Sequence, residues 1–398
     1  MISSMGELSH FCSGPYNRPV FLGLLKVKAV AMKFQTFQRV GLLLLIACAY
    51  APAAILFTAT CARASDLTVG FLYDSSMNDS GWTAAHNQGR LFLESKVPGI
   101  KTIVAENIPE SSEAERVLEK MVAQHCKLIF TTSFGFLEPA LKVAARHPEV
   151  TIMQINRTQT AKNVGTYFCY LYEPLYIAGV VAGKMTKSNK LGIIAGHPTP
   201  VVMQMVNAFA LGARSVNQKV KLTVVWINSW SDPPLEAESI RGLHEAGVDV
   251  ITQAVDSNAT MARTAESLGM YSVGDYVDSH ELAPKGWLTG SCLNWGPLYV
   301  SVAKSVLDHS WSPRVTVTGM KDGAIKLSTI GSAVPAALRK QALALETDIK
   351  AGHFVVFQGP VKDRSGKVRL AAGQKPDAQW LAGMNFFVEG VEGSLPKK

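Results

Sequence analysis

The chain has 398 residues, of which 47% are hydrophobic and 18% are charged, so it can bury a large core and is not intrinsically disordered. Its formal net charge is +8, but six basic residues and one acidic residue fall within the first 64 positions. The remaining positions carry 33 basic and 30 acidic side chains. This near balance argues against a polyanion-binding surface, and we expect no nucleic acid partner.

The N-terminal region has the three parts of a cleaved export signal. A short basic segment at 32–39 precedes an uncharged apolar run from Val40 to Phe57. Ala62-Arg63-Ala64 is a small-residue cleavage motif directly before Ser65. We therefore expect residues 1–64 to be an N-terminal extension and signal peptide, and the mature protein to be periplasmic or otherwise exported.

Two alternatives to a free exported protein stay open. The apolar run is near the minimum length of a permanent membrane anchor, and Cys48 or Cys61 is a candidate for lipid attachment. The cysteines beyond residue 65 form neither a disulfide framework nor a C-x-x-C metal motif. We expect no cofactor and no metal. These three cysteines are Cys126, Cys169 and Cys292.

The first half of the exported portion alternates strands with helices. A Ser112/Glu115 pair has the spacing of a capping box at the start of one helix. The β-α-β-α-β order predicts a parallel sheet that helices cover on both faces. Strands are expected at 67–72, 101–105, 128–130 and 150–155, and further helices at 82–96 and 137–146.

The same pattern then begins again. Asp232, followed by two prolines, predicts a capped helix start. Two similar α/β halves predict two lobes around a cleft, and ligands of parallel sheets bind beyond the carboxyl ends of the strands. Strands are expected at 190–195, 221–227, 248–253, 271–274, 315–318 and 324–327, and helices at 201–216, 259–268, 297–308 and 336–351.

The domain organisation follows from these two halves. We expect residues 65–185 to form the first lobe and residues 186–290 the second. Residues 291–315 are expected to return to the first lobe. Residues 316–398 would then complete the second lobe and form a C-terminal tail.

Segments that follow predicted strands carry aromatic and acidic residues. Trp82, preceded by a loop that contains Asp79, either stacks on a flat ligand or is the first buried residue of its helix. Phe134 and Trp230 are further candidates for stacking. Asp256 and Asp275 end two strands of the second half, where each is also ordinary turn chemistry.

Motifs of covalent and metal catalysis are absent from the sequence. It contains no H-E-x-x-H, G-x-S-x-G or P-loop motif, and its nine histidines are dispersed. A binding protein is therefore favoured over an enzyme.

Four segments, taken in order, resemble one known family. Asp79-Ser80-Gly81-Trp82 is similar to its D-K-[SG]-[FW] loop, and residues 163–183 are similar to its N-V-x-S … Y-L-A-G-x-x-A-G segment. Residues 209–213 resemble F-x-x-G-A, and residues 247–251 resemble G-A-D-V-I. The chain is identified by these segments as resembling the basic membrane protein family of ABC-transporter substrate-binding proteins, which includes the purine nucleoside receptor type.

The resemblance implies a two-lobed periplasmic binding protein of type I, with an α/β fold in which each lobe is a parallel sheet flanked by helices. It implies delivery of purine nucleosides or related compounds to a membrane permease with its ATPase. Trp82 would stack on the base, with Asp79 in the same loop. Asp275 would hold ribose hydroxyls, and Tyr170 lies in the matched segment as a further expected contact.

The sequence departs from the family where the ribose would be recognised. Residues 288–294 resemble the family's L-T-S-x-x-K segment, and Asn294 is assigned to the ribose-facing lysine. We therefore expect a smaller flat ligand such as a free purine base, bound by a monomer. Two other functions stay open: an exported enzyme that processes nucleosides or sugars, and a ligand sensor that docks on a membrane receptor.

Overall fold

The computed structural model describes residues 67–78 and 80–396. The predicted export signal and Asp79 lie outside these residues. Within the described part of the chain, no helix is both long enough and apolar enough to cross a membrane.

Strands and helices alternate along the chain as the sequence predicts. The strands are β1 (Thr68–Leu72), β2 (Lys101–Ala105), β3 (Cys126–Thr131), β4 (Thr151–Ile155), β5 (Val164–Cys169), β6 (Lys190–Ala195), β7 (Lys221–Trp226), β8 (Val250–Ala254), β9 (Tyr271–Gly274), β10 (Trp287–Leu293), β11 (Val315–Thr318), β12 (Ile325–Leu327), β13 (Val361–Lys362), β14 (Val368–Leu370) and β15 (Val391–Glu392). The helices are α1 (Trp82–Lys96), α2 (Ser112–Ala123), α3 (Leu137–Arg146), α4 (Tyr172–Met185), α5 (Pro200–Val216), α6 (Pro233–Glu245), α7 (Asn258–Ser267), α8 (Gly296–Leu307), α9 (Ala336–Ala351) and α10 (Ala378–Ala382).

Two mainly parallel sheets organise these elements and confirm the predicted fold class. The first sheet has the strand order β11-β5-β4-β3-β1-β2, and the second has the order β12-β10-β9-β8-β6-β7-β15. In the second sheet, β12 runs antiparallel to β10, and the other neighbours in both sheets are parallel. Each sheet forms the centre of one lobe.

Two helix starts show how local chemistry sets the element boundaries. The side chain of Asp232 accepts a hydrogen bond from the backbone N–H of Leu235 at 3.1 Å, so the predicted cap of α6 is present. The cap of α2 is Ser111, whose hydroxyl accepts from the N–H of Glu113. The cap is therefore one residue before the predicted Ser112, and Ala114, three residues after Ser111, cannot complete a capping box.

The chain passes between the two lobes at positions that differ from the predicted boundaries. Helix α4 packs on α5 and against β10, so it lies with the second sheet although it falls within the predicted span 65–185. Helix α8 packs on α1, and β11 then completes the first sheet as far as Thr318. The crossings therefore lie near residues 170–171, 294–295 and 319–324.

The C-terminal segment 358–396 adds a wall to the second lobe that the sequence did not predict in detail. Its last strand, β15, extends the second sheet beside β7. The amide group of Asn207 on α5 donates to the carbonyl of Phe386 and accepts from the N–H of Val388. Gln204, also on α5, donates to the carbonyl of Leu381 at 2.9 Å. These bonds fix the segment against α5.

Glycines allow α4 and α5 to approach closely. A Cβ atom on Gly212 would lie 2.0 Å from the carbonyl oxygen of Tyr176, and one on Gly179 would lie 2.3 Å from the carbonyl oxygen of Phe209. Real Cβ atoms do not approach backbone atoms at such distances, so even alanine would push the two helices apart.

We predict that Gly212→Ala lowers the free energy of unfolding by about 1–3 kcal/mol, because the added methyl group overpacks the contact between α4 and α5. Urea or thermal denaturation measures the change. Gly242→Ala is the matched control, since nothing lies within 4 Å of a Cβ atom at Gly242 in α6. There alanine should stabilise the helix by roughly 0.5–1 kcal/mol. Equal shifts in both variants would contradict the packing argument.

Candidate ligand-binding site

A small cavity of about 40 Å³ lies where the carboxyl ends of strands from both lobes meet. Each lobe contributes the segments that follow its parallel strands, as expected for this topology. The first lobe and its crossing supply Asp74, Trp82, Thr132, Ser133, Phe134, Asn156 and Leu171; the second supplies Thr199, Val201, Val202, Met205, Trp230, Asp256 and Tyr276.

Trp82 joins the two lobes at this cavity. Its backbone N–H donates to the carbonyl of Asp256 in the second lobe at 2.9 Å. Its indole N–H donates to the carbonyl of Thr132 in the first lobe at 2.7 Å. The ring is 7% exposed and meets the ring of Tyr276 edge to face, with the centroids 5.1 Å apart. Trp82 therefore lines the cavity and belongs to the hydrophobic core at the same time.

A cluster of buried aromatic side chains packs against Trp82. The buried His86 ring stacks on Trp295 with the centroids 5.1 Å apart, and its Nδ1 forms a 2.5 Å hydrogen bond with the hydroxyl of Tyr299. Burial lowers the pKa of His86 well below its usual 6.5, so the ring is neutral at neutral pH. His86 is therefore a packing residue that holds Trp82 in place.

The charged groups of the cavity are all acidic. Asp74 and Asp256 line it, and within the described residues no lysine, arginine or histidine does. Ionised carboxylates accept hydrogen bonds and donate none. With Trp82 and Trp230 as ring surfaces, the arrangement suits a flat ligand that presents N–H groups along its edge.

A short loop after β3 positions Phe134 at the rim of the cavity. Oε1 of Glu110 accepts hydrogen bonds from the hydroxyl of Ser133 at 2.6 Å and from the N–H of Gly135 at 2.5 Å. The guanidinium carbon of Arg157 lies 4.1 Å from the centroid of the Phe134 ring. Phe134 is thus held from both sides.

Four of the eight residues predicted for the site line the cavity, and three others lie elsewhere. Trp82, Phe134, Trp230 and Asp256 line it. The three that do not are Tyr170, Asn294 and Asp275, and Asp79 lies outside the described residues. Several residues that do line the cavity were missed, among them Asn156, Thr199 and Met205. Asn156 directly follows β4, Thr199 is the N-cap of α5, and Met205 lies within α5.

Tyr170 and Asn294 lie at crossings between the lobes. The N–H of Tyr170 donates to the carbonyl of Thr318, and its half-buried ring packs on Tyr172. Asn294 is exposed, and its side chain donates to the carbonyl of Gly323 at 3.2 Å. Counted without a gap from Leu288, the family's lysine falls on the buried Leu293 rather than on Asn294. Neither Leu293 nor Asn294 carries a positive charge.

Asp275 is fully buried beside the site and does not line the cavity. Its Oδ1 accepts hydrogen bonds from the hydroxyl of Ser291 and from the N–H of Tyr276. Within the described part of the chain, its Oδ2 has no hydrogen-bond partner. Burial raises the pKa of Asp275 to about 7, because the charged carboxylate is poorly solvated there.

We predict a stability change with pH that depends on Asp275. A carboxyl group whose pKa is raised in the folded state stabilises the protein most below pH 4, and this contribution is lost as the pH rises to about 7. Asp275→Asn should therefore gain stability relative to wild type over that interval, by at least about 1 kcal/mol. Melting temperatures from pH 4 to pH 8 test this. The exposed Asp308→Asn is the control, and parallel curves for wild type and Asp275→Asn would contradict the prediction.

No cluster of three or more His, Cys, Asp or Glu side chains that could hold a metal ion occurs within residues 67–78 and 80–396. Cys126 and Cys169 are buried, and Cys292 is half-buried.

Comparisons with known proteins give a consistent picture. The family described as ABC transporter substrate-binding protein PnrA-like (Bmp) matches residues 67–357. A purine-binding protein of Brucella abortus is 40% identical over 332 residues, which cover 83% of this chain and 94% of that protein. A protein of Haloferax volcanii, provisionally described as an ABC transporter glucose-binding protein, is 31% identical. The match covers 83% of this chain and 81% of that protein.

A solved structure shows the same fold. An ABC transporter solute-binding protein of Aeropyrum pernix superimposes with a TM-score of 0.64 at 18% identity, and the match covers 74% of this chain and 94% of that one. The chain therefore belongs to the Bmp family of PnrA-like ABC transporter substrate-binding proteins, which are binding proteins and not enzymes.

Proposed function

We propose that this protein binds a purine base between its lobes and delivers it to the membrane permease of an ABC importer with its ATPase. The observation that carries the proposal is the position of Trp82, which lines the cavity and is hydrogen-bonded to both lobes. The 40% identical relative is a purine-binding protein, which supports the ligand class.

The polar groups of the cavity favour a base over a nucleoside. Asp74 and Asp256 can accept hydrogen bonds from the amino group or ring N–H of a purine. The carboxyl group of Asp275 is buried outside the cavity, and neither Leu293 nor Asn294 supplies the cation of the nucleoside receptors. Neither position that the family resemblance assigns to ribose recognition is therefore among the described residues that line the cavity.

The size of the cavity links binding to movement of the lobes. A volume of about 40 Å³ is smaller than the 150 Å³ cavity that accepts benzene in an engineered protein. A purine is larger than benzene, so the cavity must widen for the ligand to enter. Opening of the lobes followed by closure on the ligand is the mechanism that this fold offers.

The place of action follows from the sequence and the family. The basic segment, apolar run and cleavage motif of residues 32–64 support export across the cytoplasmic membrane. A substrate-binding protein acts where it can meet both the ligand and the outer face of a permease. We therefore place this protein outside the cytoplasmic membrane, with residue 65 as the start of the mature chain.

We predict that Trp82→Ala weakens purine binding by about ten- to a hundredfold, since stacking of a base on an aromatic ring contributes roughly 1–3 kcal/mol. Adenine and guanine should bind wild type more tightly than adenosine and guanosine. Because Trp82 also packs in the core, its alanine variant is expected to lose stability as well. Trp82→Phe keeps a ring and should recover most of the affinity. Calorimetric titration measures each pair.

Titrations of two further variants show whether the loss of affinity is specific to aromatic rings at the cavity. Trp230→Ala removes a second ring at the cavity, and Trp311→Ala serves as the control because Trp311 lies on a different surface of the first lobe. Tighter binding of nucleosides than of bases would overturn the ribose argument. Binding of glucose in place of purines would overturn the ligand class.

We predict that Gly81→Ala hinders closure. A Cβ atom at Gly81 would lie 1.6 Å from the carbonyl oxygen of Asp256, so the methyl group would separate the lobes and break the hydrogen bond between Trp82 and Asp256. The apparent Kd should rise about tenfold or more, because the binding-competent state becomes less populated. Small-angle scattering should show compaction on adding adenine to wild type, and less compaction in the variant.

The control for closure is the same chemical change far from the cleft. Gly242→Ala should leave both affinity and compaction as in wild type. If Gly81→Ala binds and compacts like wild type, the contact between Gly81 and Asp256 does not govern closure.

A further inference from the structure

A second, larger chamber of about 250 Å³ adjoins the cavity. Phe134, Asn156 and Val201 line both spaces, so they form the partition between them. We call the cavity of about 40 Å³ the inner cavity and this second space the outer chamber. The outer chamber exceeds the 150 Å³ that benzene needs, so it has room for a substituent of several atoms.

Part of the lining of the outer chamber comes from the C-terminal segment. Ala378, Leu381 and Ala382 of α10 line it, and α10 is held by the hydrogen bond from Gln204 to Leu381. These residues lie beyond position 357, where the family match ends. The outer chamber is therefore built partly from chain outside the matched region.

Arg157 is the one cationic side chain among the described residues that line either space. It is half-buried, and its guanidinium group rests over the ring of Phe134. Among the described residues it has no carboxylate partner and no side-chain hydrogen bond, and no acidic residue lines the outer chamber. Its N–H donors are thus unmatched by protein acceptors.

Two other arginines that lie over aromatic rings show the contrast. Arg369, over Phe386, is paired with the carboxylate of Asp363 at 2.7 Å. Arg364, over Phe387, donates to the carbonyl of Gly393 at 2.6 Å. Arg157 has the same ring contact and lacks the polar partner. A guanidinium with free donors beside a cavity is suited to a carboxylate or phosphate group.

We infer that the outer chamber is a subsite for an anionic substituent of the ligand, with Arg157 as its charge partner. The ring system occupies the inner cavity beside Asp74 and Asp256, and the substituent passes Phe134 into the outer chamber. The two spaces carry opposite charge, so they orient a ligand that has N–H donors at one end and an anion at the other. This inference rests on the proposed function and narrows its ligand class to purine derivatives that carry a carboxylate or a phosphate.

The test is calorimetric titration with matched pairs of ligands. Adenine is compared with N6-(carboxymethyl)adenine and 9-(carboxymethyl)adenine, each beside its neutral carboxamide, and adenosine is compared with adenosine 5′-monophosphate. For wild type we expect at least one anionic compound to bind about tenfold or more tightly than its neutral partner, as a charge-assisted hydrogen bond would give. The carboxymethyl and phosphate arms distinguish the two kinds of anion.

Variants assign that preference to Arg157 and to the outer chamber. Arg157→Gln should reduce the preference for the anion to less than threefold; because it also removes the contact with Phe134, the readout is the affinity ratio within each ligand pair and not the affinity for adenine. Arg364→Gln is the matched control and should leave the preference intact. Ala382→Trp places a bulky group at the exposed wall of the outer chamber and should weaken binding of the substituted purines alone. Raising the salt concentration should also diminish the preference in wild type.

Each outcome decides between the two proposals. If adenine binds but no anionic compound binds more tightly than its neutral partner, the subsite is overturned and the proposed function stands. If the preference exists and Arg157→Gln retains it, the assignment to Arg157 is overturned. If no purine of any kind binds, the proposed function itself fails.

Discussion

The contact between Gly81 and the carbonyl of Asp256 ties the two lobes together at the ligand site. Any side chain at residue 81 would collide with that carbonyl, and the neighbouring N–H of Trp82 donates to the same oxygen. The indole of Trp82 is in turn fixed by Thr132 in the first lobe. The ring that lines the cavity is therefore bonded to both lobes, next to a residue without a side chain. In the proposed closure, ligand binding and lobe movement are coupled through this one peptide segment.

Much of the fold could be predicted because its signals are local. The bounds of α1, α3, α9, β2 and β6 agree with the sequence pattern residue by residue. The rule that ligands lie beyond the carboxyl ends of parallel strands then pointed to segments that line the cavity. It found Trp82, Phe134, Trp230 and Asp256, which all directly follow strands or open a helix after one. The same rule cannot rank residues within a segment, so Asn156 was missed.

The remaining differences between expected and observed positions concern contacts between residues far apart in sequence. Helix α4 has an apolar surface on all sides, and only its glycine contacts with α5 show that it lies with the second sheet. Tyr170 was expected at the ligand but bonds to Thr318 at a crossing, and Asp275 lies beneath the site against Ser291. Whether a polar residue after a strand points into the cleft or into the core is decided by such tertiary partners, which the pattern along the chain does not contain.

Backbone carbonyls hold Trp82 between the lobes, whereas side chains select the ligand in the proposed function. The two hydrogen bonds that hold Trp82 are accepted by the backbone carbonyls of Thr132 and Asp256. Every residue type has such a carbonyl, whatever its side chain. The side chains that face the ligand spaces, such as Asp74 and Arg157, take no part in those two bonds. Substitutions that change ligand chemistry can therefore leave the closing contact intact.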